Sequence, residues 1–172
     1  SELINGQSDM TIMFKYTDLE NYVTYVAPLP ALKIVVMGEV GSVFSSVMSL
    51  KDKRLAYLRG ASFSKEIDDY SEVSVHRVTD FSQGVKMLMA NHVDAIIGPM
   101  DPILSAAASM GISEHSFGSP LIVDERTPWV QVSNKSLNIV SVDELKAAFE
   151  KLTSQGILNK LRSEYLKVKG EK

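Results

Sequence analysis

The sequence predicts an α/β fold built on a parallel sheet. Its central stretch contains two short apolar runs, Arg54–Leu58 and Val93–Ile97, of the kind that form buried strands. Between them lie a third strand candidate, Val73–Val78, and two segments with helical spacing, Phe63–Ile67 and Phe81–Ala90. A succession of strand, helix, strand, helix and strand favours parallel strands with right-handed crossovers.

The carboxyl ends of these strands are where we expect a ligand, because ligands of parallel sheets bind beyond those ends. The ends are Arg59–Ser62 and Gly98–Asp101. Small residues between a strand and a helix leave the first N–H groups of the helix uncovered, which suits an anionic or strongly polar group. The hydroxyl of Ser62 is placed either to cap the helix or to contact a ligand.

The flanking segments alternate in the same manner. Before the central stretch we predict strands at Asp9–Phe14, Tyr22–Val26 and Leu32–Met37 and a short helix at Val43–Leu50. After it we predict a helix from Asp101, as N-cap, to Met110, a strand at Trp129–Ser133, and helices at Ser141–Leu152 and Ile157–Tyr165.

The amino-acid composition limits the classes of function that the chain can have. The 172 residues carry 18 Lys and Arg against 21 Asp and Glu, a formal charge of −3, which argues against a nucleic-acid partner. Cysteine is absent, which excludes disulfides and thiolate metal sites. The three histidines lack metal-ligand spacing and no nucleotide or hydrolase motif is present, so we expect no metal, no cofactor and no catalytic residue.

Four ordered segments resemble the type 2 periplasmic solute-binding proteins of the polar-amino-acid group (family 3). They are residues 3–9, 50–62, 89–97 and 152–158. The resemblance implies two α/β lobes joined by two crossing strands, with the ligand in the cleft. It places residues 1–37 and 121–172 in a first lobe and residues 38–120 in a second lobe.

The start of the chain departs from the family. Family members carry a strand, a helix and a strand ahead of the segment that matches Gly6–Asp9. We therefore expect an incomplete first lobe with an unpaired sheet edge. Such an edge recruits another chain, so we expect either a homodimer that completes this lobe or a loosened first lobe.

The recognition residues of the family are also altered. Asn21 stands where amino-acid binders have a carboxylate-binding arginine, and Pro99 stands where they have an aspartate for the α-ammonium. We therefore expect a ligand other than a standard α-amino acid. The candidate ligand-binding residues are Tyr16, Asn21, Arg59, Ser62, Phe63 and Asp101, for which surface exposure or helix capping is the alternative role.

The resemblance implies a periplasmic or extracytoplasmic module that binds a small polar ligand for the permease of an ABC transporter. A sensor domain of a signalling receptor is the alternative within the same fold. A dehydratase-like enzyme is the third hypothesis, because a few proteins of this fold are dehydratases. It requires an acid/base pair, for which Asp101 and the scattered histidines are the candidates.

Overall fold

The computed structural model describes residues 2–170, with side chains from 2 to 164. The strands are β1 (Met10–Met13), β2 (Val23–Pro28), β3 (Leu32–Met37), β4 (Arg54–Leu58), β5 (Ser74–Val78), β6 (Ala95–Pro99), β7 (Leu121–Arg126) and β8 (Trp129–Ser133). The helices are α1 (Glu2–Asn5), α2 (Lys65–Asp68), α3 (Phe81–Met89), α4 (Met100–Ser109), α5 (Val142–Ser154) and α6 (Ile157–Gly170). No helix within the described range is long and apolar enough to cross a membrane.

The chain forms two compact units. The first contains residues 1–31 and 126–164, and the second is built on residues 32–125. Each unit has its own sheet, of three strands in the first and five in the second. The division therefore follows the two sheets.

The five-stranded sheet of the second unit has the order β5-β4-β6-β3-β7. Strand β4 pairs in parallel with both β5 and β6, which confirms the predicted parallel arrangement of the central stretch. The three central strands β3, β4 and β6 are buried over most of their length, as is typical of strands with both faces covered. Side chains of β3, β4 and β6 share one core cluster with residues of α3 and α4, including Val35, Ala56, Ile96, Val85 and Ile103.

Two expectations about this unit need correction. Residues 32–37 and 121–125 belong to the second unit rather than to the first lobe, because β3 pairs antiparallel with β6 and buries Ile34–Met37. The helix expected at Val43–Leu50 is reduced to a 3-10 turn at Val47–Leu50. The preceding backbone is instead held by isolated bridges from Glu39 to Phe117 and from Val43 to Ser119.

The sheet of the first unit has β8 between β1 and β2, and both pairings are antiparallel. Alternate residues of a strand face opposite sides. Val130 and Val132 of β8 pack with Val26 and Ala27 beneath side chains of α5. On the other side the Ser133 hydroxyl donates to the carbonyl oxygen of Leu3 in α1 at 2.9 Å.

Both units use an aspartate just after a helix end. The left-handed backbone of Gly6 (φ +72°) and of Asn91 (φ +56°) ends α1 and α3. Asp9 then accepts a hydrogen bond from the Ser136 hydroxyl at 2.7 Å. Asp9 thereby braces the segment between α1 and β1 against the turn that follows β8.

The brace at Asp94 is the stronger of the two. Its carboxylate accepts bonds from the backbone N–H of Arg54 at 2.7 Å and from the guanidinium at 3.1 and 2.8 Å. These hydrogen bonds lower the pKa of Asp94 to about 2. The end of α3 is thereby attached to the first residue of β4.

We predict that Asp94 makes the stability pH-dependent. Because its folded-state pKa lies below the ordinary value of 3.8, the contribution is complete above that value and is lost as pH falls towards 2. With both side chains partly exposed, the loss should be about 1 kcal/mol. Urea unfolding at a series of pH values measures it. Asp94→Asn should remove this part of the acid slope and the exposed control Asp69→Asn should keep it. Equal slopes in the two variants would show that the pair contributes nothing.

Candidate functional site

An open groove of about 580 Å³ lies in the second unit, where β5 and β6 lead into α3 and α4. Its volume falls within the roughly 300–1,000 Å³ of small-molecule sites. The lining residues are Leu32, Phe81, Ser82, Asp101, Pro102, Ser105, Ala106 and Ser109. The groove thus includes the carboxyl edge of the sheet, where the strand pattern predicted a ligand.

Helix α4 supplies most of the polar groups. Asp101, Ser105 and Ser109 are spaced four residues apart and therefore lie along one side of the helix. Asp101 is not the N-cap that we expected, because α4 begins at Met100 and Pro99 occupies the cap position. Its half-buried carboxylate lies in the first turn, beside hydroxyl groups, and this set suits a ligand that donates N–H or O–H bonds.

An aromatic wall completes the groove. The ring of Phe81 lies against Gly98 of β6, where an added Cβ would come within 2.5 Å of the ring. Phe81 stacks on Phe63, with ring centroids 6.3 Å apart, and Phe63 stacks on Tyr57 at 5.4 Å. Phe63 is buried, so it supports Phe81 from behind and does not present its own ring to solvent.

The turn after β4 is closed by the protein's own side chains. The Tyr57 hydroxyl accepts a bond from the Phe63 N–H at 2.5 Å and donates to Asp68 at 2.5 Å. The Ser62 hydroxyl donates to the other carboxylate oxygen of Asp68 at 2.6 Å. Helix α2 has only four residues and its N-cap is Ser64, so Ser62 does not cap it. The Phe63 N–H of this turn is therefore bonded to a tyrosine hydroxyl and is not open to an anion.

Burial keeps that hydroxyl protonated. Tyr57 is 1% exposed, and burial together with the hydrogen bond to Asp68 raises the pKa of Tyr57 to about 12. The guanidinium of Arg77 lies 4.5 Å from the centroid of the same ring. The hydroxyl consequently remains a neutral donor to Asp68 throughout the physiological range.

The remaining predicted residues occupy exposed or half-buried positions. Arg59 is exposed, and its backbone N–H donates to the Val78 carbonyl at 2.8 Å. In the first unit, Tyr16 is half-buried before a 3-10 turn at Thr17–Leu19, and Asn21 is exposed. The Asn21 carbonyl oxygen accepts a bond from the Asn134 side chain at 3.2 Å. Arg59, Ser62 and Asp101 thus share the carboxyl edge of neighbouring strands.

Several residues of this region were not predicted from the sequence, among them Tyr57, Asp68, Phe81, Ser82, Ser105 and Ser109. Ser105 follows Asp101 by four residues, a spacing that could have placed both on one side of the helix. Tyr57 and Asp68 meet only through tertiary folding, so no local pattern indicates them. Among the described residues, no group of three or more His, Asp or Glu is placed to hold a metal ion.

No protein-family model and no curated protein matches the chain. Many solved structures do. One is the amino acid ABC transporter substrate-binding protein AbpA from Streptococcus pneumoniae bound to L-arginine (16% identity, TM-score 0.81, 99% of this chain and 73% of that one). A second is the substrate-binding protein of an amino acid ABC transporter (21% identity, TM-score 0.73, 96% of this chain and 74% of that one). A third is the GluR0 ligand-binding core in complex with L-glutamate (14% identity, TM-score 0.74, 96% of this chain and 75% of that one).

These similarities extend over nearly the whole chain. Because the sequence identities are low, they establish the fold and nothing further. Two α/β units, the second with a parallel core, agree with the architecture that the sequence predicted. The chain has the fold of the type 2 periplasmic binding proteins.

Proposed function

We propose that the protein is an extracytoplasmic solute-binding module that captures a small polar ligand and delivers it to the permease of an ABC transporter. The observation that carries this proposal is the groove at the carboxyl edge of the second sheet, which is lined by Asp101, three serines and Phe81. The fold supports it, because solved proteins of the same fold include the substrate-binding protein of an amino acid ABC transporter.

The ligand that we propose is not a standard α-amino acid. Asn21 and Pro99 stand where the resemblance implies two charged partners, and Pro99 is buried at the cap of α4. The Phe63 N–H, which could have bound a carboxylate, is already bonded to Tyr57. Asp101 instead favours a ligand with an amino, amidine or hydroxyl group that donates hydrogen bonds.

The residues that line the groove favour ligand binding over an enzymatic reaction. A dehydratase-like reaction needs both an acid and a base near the reacting atoms. Of the residues that line the groove, Asp101 is the one with an ionisable side chain. His76 lies within β5 and His92 follows α3, so neither belongs to that lining.

A sensor domain of a signalling receptor is the second candidate. The similarity to the GluR0 ligand-binding core favours it, since that protein is a ligand-binding core on the same fold. The two roles differ in their partner. Co-purification with a permease supports the transporter role, and a neighbouring kinase or channel segment supports the sensor role.

We predict that standard α-amino acids bind weakly or not at all. Two missing charge-assisted hydrogen bonds should cost about 1.5–3 kcal/mol each. Isothermal titration calorimetry with a panel of standard amino acids tests this, with arginine and glutamate included. Micromolar binding of any of them would contradict the proposed ligand class.

We predict that the ligand is held by Asp101. A thermal-shift screen against a metabolite library should find polar compounds that raise the melting temperature. In Asp101→Asn the affinity of each such compound should fall roughly tenfold or more, since the charge is lost. Asp69→Asn is the matched control, and each variant is referred to its own ligand-free melting temperature. Compounds that bind both variants equally would exclude Asp101 from the site.

We also propose a homodimer through the edge of the first sheet. The Ser133 N–H donates to the Asp9 carbonyl, so the backbone N–H and C=O groups of Met10 and Ile12 point away from β8. Their side chains are 44% and 54% exposed. An open, apolar edge of this kind pairs readily with a second strand.

We expect light scattering to show a dimer whose fraction rises with concentration. Ile12→Lys should shift the protein to the monomer, because a charge on an edge strand opposes pairing. Ile122→Lys, an exposed substitution on β7, should leave the dimer intact. A monomer at every concentration would refute the dimer.

A further inference from the structure

Two aromatic rings of the first unit enclose the ammonium of Lys15. Its Nζ lies 3.8 Å from the ring centroid of Trp129 and 4.3 Å from that of Tyr25. The two rings meet edge to face, at 68° with centroids 5.9 Å apart. They therefore form two walls of a corner, which we call the Tyr25–Trp129 corner, and both ring faces attract a cation.

Two buried oxygen atoms belong to Tyr25 and to Gln131, its neighbour across the strands. Gln131 lies opposite Tyr25 in the pairing of β2 with β8, and Trp129 precedes it by two residues on the same face. Gln131 is 0% exposed, and its amide nitrogen donates to the Met13 and Phe14 carbonyls at 3.0 and 3.3 Å. Within the described part of the chain, the buried Oε1 of Gln131 and hydroxyl oxygen of Tyr25 have no hydrogen-bond partner.

A nearby carboxylate acts in the same direction. Burial, and then the negative charge of Glu20, raise the pKa of Tyr25. The two ring faces thus favour a positive charge in the corner, and the negative charge of Glu20 acts on Tyr25 in the same direction.

We propose that the Tyr25–Trp129 corner is a binding site for an organic ammonium cation and that Lys15 occupies it as an internal substitute. Lys15 is exposed and flexible, and its ammonium is strongly hydrated. A methylated ammonium is less hydrated and therefore binds aromatic faces more favourably. An external cation of that kind displaces the lysine side chain. This site lies wholly within the first unit, so it goes beyond the solute groove of the second.

The single tryptophan of the chain reports on this site directly, since Trp129 is one of its walls. We would follow its fluorescence during titration with tetramethylammonium chloride, with sodium chloride at equal ionic strength as the reference. The proteins are the wild type, Lys15→Met, and Lys33→Met as a control that removes an exposed charge from the second unit. Lys15→Gln is a second variant that removes the Lys15 charge. The double variant Lys15→Met/Tyr25→Leu also removes one aromatic wall of the corner.

We expect a saturable change of Trp129 fluorescence in both Lys15 variants. Binding to the wild type and to Lys33→Met should be roughly tenfold weaker, because Lys15 competes, and the variant without Tyr25 should lose it. The proposal would be overturned if tetramethylammonium changed the fluorescence of the Lys15 variants no more than sodium chloride does. Equal affinities in Lys15→Met and Lys33→Met would overturn it as well.

Discussion

The burial of β6 between β3 and β4 is the constraint on which the second unit depends. Every residue of this strand, from Ala95 to Pro99, is buried. It pairs in parallel with β4 on one side and antiparallel with β3 on the other. The strand has room for Phe81 only because Gly98 has no side chain, and it ends in the proline that precedes α4. The positions of both the aromatic wall and Asp101 follow from this one strand.

The same packing engages the polar groups of the turn after β4. Tyr57 reaches from the interior of β4 into the turn that follows it and satisfies the Phe63 N–H there. Asp68 is held by the hydroxyls of Tyr57 and Ser62. The Phe63 N–H and the hydroxyls of Tyr57 and Ser62 are bonded within this turn and therefore offer little to an anion. We propose that a polar ligand is recognised on the side of α4, where Asp101 and serine residues line the groove.

The sequence predicted the elements better than their contacts. Continuous apolar runs are typical of parallel strands buried on both faces; Arg54–Leu58 was placed correctly, and the run predicted at Val93–Ile97 begins two residues before β6. Strand β3 was assigned to the first lobe, because an apolar run does not reveal which sheet it joins. The prediction of a helix at Val43–Leu50 was wrong, because β-bridges to residues distant in sequence override the local helical spacing there. Asp101 was identified from the sequence as a candidate ligand-binding residue. The hydrogen bonds of Tyr57 to Phe63 and Asp68 could not be predicted, because only the fold brings these residues together.

The central claim is that the second unit binds its ligand at the carboxyl edge of the parallel strands. Amide chemical shifts, recorded while the tightest compound from the metabolite screen is added, test it most directly. The account predicts the largest changes at Phe81, Ser82, Asp101 and Ser105, which line the groove. Changes confined to the opposite edge, around Lys51, Glu72 and Ser74, would contradict it.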